Sequence, residues 1–420
     1  LTHVLGYLRE ASDNNINQLN KKFNYKPRDV FGFSGIEKMY EPSLRGEDGT
    51  EFRLVDIFGI DHGIYDNSSN KKPIKGQDIY LTIDSRLQAK VEELFINKKG
   101  SVVCLIPQTG EIISYVSSPD YDLNSFVGPV PIELWQKWNL DTQKPLLNRG
   151  IQGLYPPGSI FKLIAAALAI ENNIVNKSWQ VNCSGVYQFG DRNFHCWNIS
   201  GHGNVNLDKA IYQSCNIYFY HLIQKISFDE WVGFSKKFGF GSKTGVDLFG
   251  EKEGIIPSKS YLNNKYGKYG WATGNLLTFI IGQGDILVTP IQAAQMMSII
   301  ATEGNTKSPH FYLDTVSTDV SVELKSNTWK YLQDATWKVV NHEDGSGKLA
   351  NVSNIQVHGK TGTAQNPHGE DHSWFAGYIV KNGIPLISLA VIIEHGGKGS
   401  VQAAKLSSQI FNYAQKHLSF

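Results

Sequence analysis

The sequence has almost no net charge. Forty Lys and Arg stand against 39 Asp and Glu, a formal balance of +1 over 420 residues, and no basic run stands out. That excludes the electrostatic footprint by which proteins hold nucleic acid. Cysteine is scarce at four residues, which excludes a disulfide-built scaffold. Long hydrophobic runs are missing too. Leu163 to Ile170, and Leu386 to Ile393 with Ser388 inside it, both fall far below the roughly 20 apolar residues that cross a bilayer as a helix. No leader-like segment opens the chain, and no internal repeat is found. The chain starts abruptly at Leu1-Thr2-His3, as a trimmed piece of a longer protein would. What remains is 41% hydrophobic and 19% charged. That balance builds a globular protein with room for one large domain and a smaller companion.

The texture changes near residue 75. Residues 1–75 are rich in Asn, Lys and Gly, carry a strand-like piece at Phe52 to Phe58, and close on the polar linker Asn67 to Pro73. We divide the chain there, into a small domain 1–75 and a large domain 76–420. Asp78 to Ile83 is expected as a strand and Arg86 to Phe95 as a helix with an apolar stripe. Ser101 to Ile106 and Glu111 to Ser117 flank Pro107-Gln108-Thr109-Gly110 as a hairpin. Leu163 to about Phe240 is expected to be mainly helix and loop. Three more strands follow at Asn354 to Ala364, Trp374 to Val380 and Pro385 to Glu394, then a final helix from Ser400 to His417 with Ser400 as its cap. The fold class is therefore α+β, with an antiparallel sheet built from both ends of the large domain and flanked by helices.

Three short patterns carry chemistry. Ser159 and Lys162 follow Tyr155-Pro156-Pro157-Gly158 at an expected helix start. Three residues apart, they share one face, and an amine one turn from a hydroxyl can take its proton. Taken alone, the pair equally describes a capping serine and a surface lysine. Ser214 and Asn216 lie in a helical pattern from Leu207 to Lys225, where a polar helix end is the plain alternative. Lys360-Thr361-Gly362-Thr363 lies on an expected strand. There Lys360 and the threonine hydroxyls suit a carboxylate, and Gly362 leaves room for a substrate backbone. Lys243-Thr244-Gly245 repeats the letters but sits in a Gly-rich turn and is read as a loop. His395 to Ser400 lacks the spacing of a phosphate loop. Gly369 to His372 is placed in a loop beside the cleft.

In this order, S-x-x-K, S-x-N and K-T-G form the trio of penicillin-binding proteins and β-lactamases. The chain resembles class B penicillin-binding proteins over nearly its whole length. Gly35 to Glu41 with Leu44-Arg45-Gly46 resembles their N-terminal pedestal motif, and Leu81-Thr82-Ile83-Asp84 resembles the opening of their transpeptidase domain. Pro156 before Pro157-Gly158, Trp197 with Gly201-His202-Gly203, and Trp374 to Tyr378 resemble the elongation branch of the class. The resemblance implies a penicillin-binding, β-lactamase-like transpeptidase fold with a pedestal remnant. It implies a serine-type D,D-transpeptidase that cross-links peptidoglycan stem peptides ending in D-Ala-D-Ala during cell-wall elongation, and that β-lactams block. It assigns catalysis to Ser159, Lys162, Ser214, Asn216 and Lys360, and substrate binding to Thr361, Gly362 and Thr363, with no catalytic cofactor. A membrane glycosyltransferase and elongation-complex proteins are the implied partners. The implied location is the bacterial inner membrane, held by one N-terminal helix absent from this chain, with the catalytic domain in the periplasm. A serine β-lactamase or β-lactam sensor, and an inactive elongation scaffold, are the alternatives.

Three of the four cysteines cluster in sequence with a histidine, as Cys183, Cys196, His202 and Cys215 in a C-x12-C-x5-H-x12-C pattern. Three thiolates and one imidazole make a closed, structural zinc set. Some relatives of the elongation branch carry a zinc site with ligands in matching places, with carboxylates where Cys183 and Cys196 stand here. A Cys183–Cys196 disulfide is the rival reading, and Asp191 and His195 are nearby substitutes for the ligands. Cys104 is expected as a buried strand residue.

Overall fold

The computed structural model describes residues 1–12, 16, 25–65, 68–126, 128–176, 178–366 and 369–418. Its centre is a five-stranded sheet. The strands are β1 (Gly100–Leu105), β2 (Ile112–Ser118), β3 (Gln356–Ala364), β4 (His372–Lys381) and β5 (Ile384–Ile393). Their order is β3-β4-β5-β1-β2, and every neighbouring pair is antiparallel. The two ends of the large domain thus meet at the β5–β1 seam, where Leu389 faces Cys104 and Val391 faces Val102. These strands are buried on both faces, so they read as near-continuous apolar runs instead of alternating ones.

Helices cover the sheet. The helices used below are α1 (Ser85–Phe95), α2 (Lys162–Glu171), α3 (Leu207–Tyr212), α4 (Asn216–Leu222), α5 (Pro290–Ala301), α6 (Ser326–Asn341) and α7 (Gln402–His417). The Asp84 carboxylate caps α1 by accepting from the N–H groups of Arg86 and Leu87. Helix α5 is buried at every position, and it is mostly apolar, with Gln292, Gln295 and Ser298 as its buried polar residues. Its Thr289–Gln292 capping box and Pro290 satisfy an N-terminus that water cannot reach. Helix α5 packs on β5 and β1, α6 on β3, α1 on β2, and α7 on β4 and β5.

Several boundaries differ from the sequence expectation. Asp78 to Ile83 forms only an isolated bridge, Leu81 to Tyr312, because no strand lies alongside it. The polar linker folds back on the small domain, with Lys71 paired to Thr50 and Ile74 to Glu47; its first residue, Asn67, lies outside the described residues. Only Arg53–Val55 of the Phe52 to Phe58 piece is strand, paired with Asp61–Ile64. The stretch expected as helix and loop holds four short strands in two pairs, Val181–Cys183 with Gly203–Val205 and Val186–Phe189 with Arg192–His195. Helix α7 starts after Val401, so Ser400 is not its cap. The pedestal motif docks through Tyr40, whose hydroxyl donates to Asp247 Oδ2 at 2.7 Å; Asp247 also accepts from the N–H groups of Phe311 and Tyr312.

One buried ion cluster ties the end of β5 to the rest. Glu394 accepts from Arg149 Nε at 2.8 Å and from the Tyr155 hydroxyl at 2.7 Å, and Lys99 Nζ lies 3.1 Å from its other oxygen. Burial pushes the Glu394 carboxyl up, but Arg149, Tyr155 and Lys99 together hold it below its ordinary value. Its stabilisation is therefore present at neutral pH and fades as acid protonates it. The Arg149 side chain is 1% exposed. Glu394→Ala leaves that guanidinium buried without its partner and should cost about 3–5 kcal/mol of unfolding free energy at pH 7, with a smaller loss at pH 4, read from urea titrations.

Candidate active site

The turn that carries Ser159 is pinned at both ends. Tyr155 exchanges backbone hydrogen bonds with Val288 (3.0 and 2.9 Å), and the Gly158 N–H donates to the Gly282 carbonyl at 2.9 Å. Ser159 lies in a single 3-10 turn, Gly158–Phe161, and Lys162 opens α2. The sequence reading placed Ser159 in the first α-turn; the tighter turn still brings positions i and i+3 into line. Gly158 has φ +55°, and a Cβ there would lie 2.5 Å from the Thr363 carbonyl oxygen. Gly362 answers it from β3, where a Cβ would lie 2.7 Å from the Pro157 carbonyl oxygen and 3.1 Å from Ile160. The space expected for a substrate backbone at Gly362 is therefore filled by the serine turn itself.

Ser214 and Asn216 do not sit within one helix. Helix α3 ends at Tyr212, Cys215 is the N-cap of α4, and Ser214 between them has φ +57°. A non-glycine residue in this left-handed region is strained, and such strain gathers at functional sites. The strained turn aims Ser214 at two lysines. Lys162 Nζ donates to the Ser214 carbonyl at 2.8 Å and to Asn216 Oδ1 at 2.7 Å, and reaches Ser214 Oγ at 3.4 Å. Lys360 Nζ donates to Ser214 Oγ at 2.9 Å. Both lysines are fully buried. Burial lowers the Lys162 pKa to about 8, against an opposing pull from the nearby thiols. Burial, then the like charge of Lys162, drives Lys360 well below its ordinary value. Asn216 also donates through Nδ2 to the His195 carbonyl at 3.2 Å, so its amide braces Lys162 as well as lining the cleft.

Strand β3 is an edge of the sheet. Edge strands offer free N–H and C=O groups to an extended peptide. Beside β3 runs a cleft of about 480 Å³ that holds Ser159, Ser214, Asn216, Thr361 and Thr363. The Thr361 hydroxyl lies 3.0 Å from that of Ser346, and Thr363 Oγ1 accepts from the Gly399 N–H at 3.2 Å. Asp371 lies in the cleft, where the loop Gly369 to His372 was expected beside it, while Trp197, Ser346, Lys398 and Ser400 line it without having been assigned to the site from the sequence. Gln283, whose Nε2 donates to the Thr363 carbonyl at 2.9 Å, had a signal in Gly282-Gln283-Gly284. Lys243-Thr244-Gly245 lies apart as a loop wrapped around the Glu251 carboxylate.

The cysteine pattern closes in space. The ligand atoms of Cys183, Cys196, His202 and Cys215 all lie within 4.8 Å of one another, and the thiols are free. His202 Nδ1 is 3.4 Å from Cys183 Sγ and 3.5 Å from Cys196 Sγ. Tetrahedral zinc with ordinary Zn–S and Zn–N bonds sets such an edge at about 3.5 Å. Asp191 and His195 are not in the set.

The family described as Penicillin binding protein transpeptidase domain matches residues 100–412, and the one described as Penicillin-binding Protein dimerisation domain matches residues 1–81. The chain belongs to the penicillin-binding protein transpeptidase family. It is 31% identical to the peptidoglycan D,D-transpeptidase MrdA of Acinetobacter baumannii, over 98% of this chain and 64% of that protein. It is 31% identical to MrdA of Haemophilus influenzae, over 98% of this chain and 68% of that one. The chain thus spans about two thirds of these curated relatives. Its fold is similar to Helicobacter pylori penicillin-binding protein 2 in complex with MreC, with TM-score 0.90 and 31% identity over 99% and 77% of the two chains. It is also similar to Pseudomonas aeruginosa PBP2 in complex with WCK 5153, with TM-score 0.85 and 32% identity over 98% and 87%. The packing in this chain leaves no room for a side chain between the serine turn and β3. Gly158→Ala should lower the thermal midpoint by about 4 °C or more, from left-handed strain and the clash with Thr363 together, measured by calorimetry.

Proposed function

We propose that this chain is the catalytic part of a peptidoglycan D,D-transpeptidase of the cell-elongation type, acting through a serine acyl-enzyme. The observation that carries this is a cleft beside the edge strand lined by Ser159 and Ser214, with the buried amines of Lys162 and Lys360 both bonded to Ser214. Lys162, whose pKa burial draws down toward neutrality, takes the Ser159 proton in its uncharged form as Ser159 Oγ attacks the carbonyl of the penultimate D-Ala. The N–H groups of Ser159 and Thr363 hold the oxyanion; one such donor is worth roughly 2.7–4 kcal/mol. The C–N bond breaks, and Ser214 passes the proton from Lys162 to the departing D-Ala amine. Lys360, Thr361 and Thr363 hold the terminal carboxylate. That carboxylate restores the charge of Lys360, and the like charge keeps Lys162 neutral. An amine of a second stem peptide then attacks the ester and frees Ser159. A β-lactam enters the same path and stays attached. Membrane anchorage and partnership with elongation proteins are part of the proposal, supported by the MreC complex of the Helicobacter pylori relative. Among the described residues no helix is long and apolar enough to cross a membrane.

We also infer that Cys183, Cys196, His202 and Cys215 hold a structural zinc ion. All four positions are protein ligands, which leaves no place for a reacting water. Cys215 separates Ser214 from Asn216, so a metal there would fix the strained turn.

Intact protein mixed with a fluorescent penicillin should show one long-lived adduct, and Ser159→Ala should show none on gels or by mass spectrometry; fast turnover of the label would indicate a β-lactamase instead. Metal analysis should find about one zinc per chain, and its removal should lower the thermal midpoint by about 5–10 °C. Absent zinc together with two missing free thiols would establish the disulfide.

A further inference from the structure

The segment that leaves the hairpin of Val186–Phe189 and Arg192–His195 grips the catalytic turn on both flanks. Three consecutive residues do this. The His195 carbonyl accepts from Asn216 Nδ2 at 3.2 Å, Cys196 Sγ accepts from the Asn216 N–H at 3.4 Å, and Trp197 Nε1 donates to the Gln213 carbonyl at 3.0 Å. The strained Ser214 turn therefore depends on a clamp with a cysteine at its middle. That cysteine belongs to the set with Cys183, His202 and Cys215, whose thiols are free and lie within 4.8 Å of one another. Three thiolates differ from carboxylates in one chemical respect. Two of them can be oxidised against each other, and the disulfide that results is no longer a thiolate donor.

Which pair closes is decided by which backbone can move. Cys183 and Cys196 flank the foot of one hairpin, where Val186 faces His195 and the Cys196 N–H donates to the Gly185 carbonyl at 2.9 Å. The loop from Cys196 to His202 is open on its outer side, with Trp197 58% and Ile199 84% exposed. Cys215 has no such freedom. It is wholly buried, it is the N-cap of α4, and its N–H is bonded to the Ala210 carbonyl at 2.9 Å. Cys183 and Cys196 are only 1% and 3% exposed, so an oxidant that reaches them must be small. We propose, resting on the zinc reading given above, that Cys183 and Cys196 are a reversible oxidation site for a peroxide, and that closing their disulfide slows acyl transfer. The Cys196 thiolate attacks the O–O bond of hydrogen peroxide, which leaves a sulfenic acid and a hydroxide. The Cys183 thiolate then attacks that sulfur, the S–S bond forms and a second hydroxide departs. Two thiolates are oxidised and one peroxide is reduced, with no further reactant. Two of the four donors are withdrawn from the ion, and the Asn216 N–H loses the thiolate that holds it. Ser214 and Asn216 are then no longer fixed against Lys162.

Zinc-loaded protein treated with hydrogen peroxide tests this. The readouts are zinc released to a chromogenic chelator, free thiols, peptide masses and the rate of penicillin acylation. About one zinc and two thiols should be lost per chain, a Cys183–Cys196 linked peptide should form, and acylation should slow on the order of tenfold or more. A reductant with added zinc should reverse all four. The double variant Cys183→Asp, Cys196→Asp has carboxylate donors but no thiol pair, and should keep its own untreated acylation rate through the same dose. A disulfide that includes Cys215, an unchanged acylation rate in the disulfide form, or a double variant inactivated in parallel with the wild type would each overturn the proposal. The wild-type arms decide the matter even where the double variant fails to fold. Protein that takes up no zinc after full reduction refutes the zinc reading itself. Zinc bound and retained through peroxide, with every thiol intact, refutes the oxidation site and leaves the zinc reading standing.

Discussion

Two lysine amines buried around one serine hydroxyl set the terms for the rest of the molecule. Among the described residues neither Lys162 nor Lys360 has a carboxylate partner; their hydrogen bonds go to Ser214, Asn216 and the Thr361 carbonyl. A pair of charged ammonium groups there would suffer both desolvation and mutual repulsion, each costing several kcal/mol. The pocket avoids that cost by pushing both amines toward the neutral form. A neutral buried amine beside a serine is a base, so the burial that endangers the core is also what equips the site. In the proposed reaction the substrate carboxylate resolves the arrangement by giving one of the two charges a partner.

Everything around this pair serves closeness. The serine turn and β3 approach so tightly that Gly158 and Gly362 have no room for a side chain. The Ser214 turn accepts left-handed strain to point between the lysines. Helix α2 is apolar and buried from Lys162 through Ala169, which keeps water from the amine. The Cys183, Cys196, His202 and Cys215 set lies directly behind the Ser214 turn. A hydrophobic core alone fixes positions loosely along a loop, whereas several bonds at one point over-determine it. The Glu394 cluster does the same for Tyr155, one turn before Ser159.

Much of this was legible in the sequence because chemistry constrains residue type. A proton-accepting amine must stand near its serine, and Ser159-x-x-Lys162 records that. The five strands of the sheet were legible because burial on both faces makes each an apolar run. Illegible features depended on partners far along the chain. Asp78 to Ile83 has the composition of a strand but no neighbour to pair with. The short strands from Val181 to Val205 are half-exposed and carry no periodic signal. Nothing in the letter Ser at 214 announces a positive φ, and only the structure shows that α3 and α4 break there. Ser400 resembled a helix cap because serines usually are; here the helix begins two residues later and Ser400 faces the cleft.

The central claim is that Lys162 and Lys360 act as one unit through Ser214. A double-mutant cycle on the rate of penicillin acylation, with Lys162→Met, Lys360→Met and the two combined, tests it most directly. The account predicts strong non-additivity, with each single variant losing on the order of 10³-fold and the double variant losing little more. Losses that simply multiply would contradict it and make the two lysines independent.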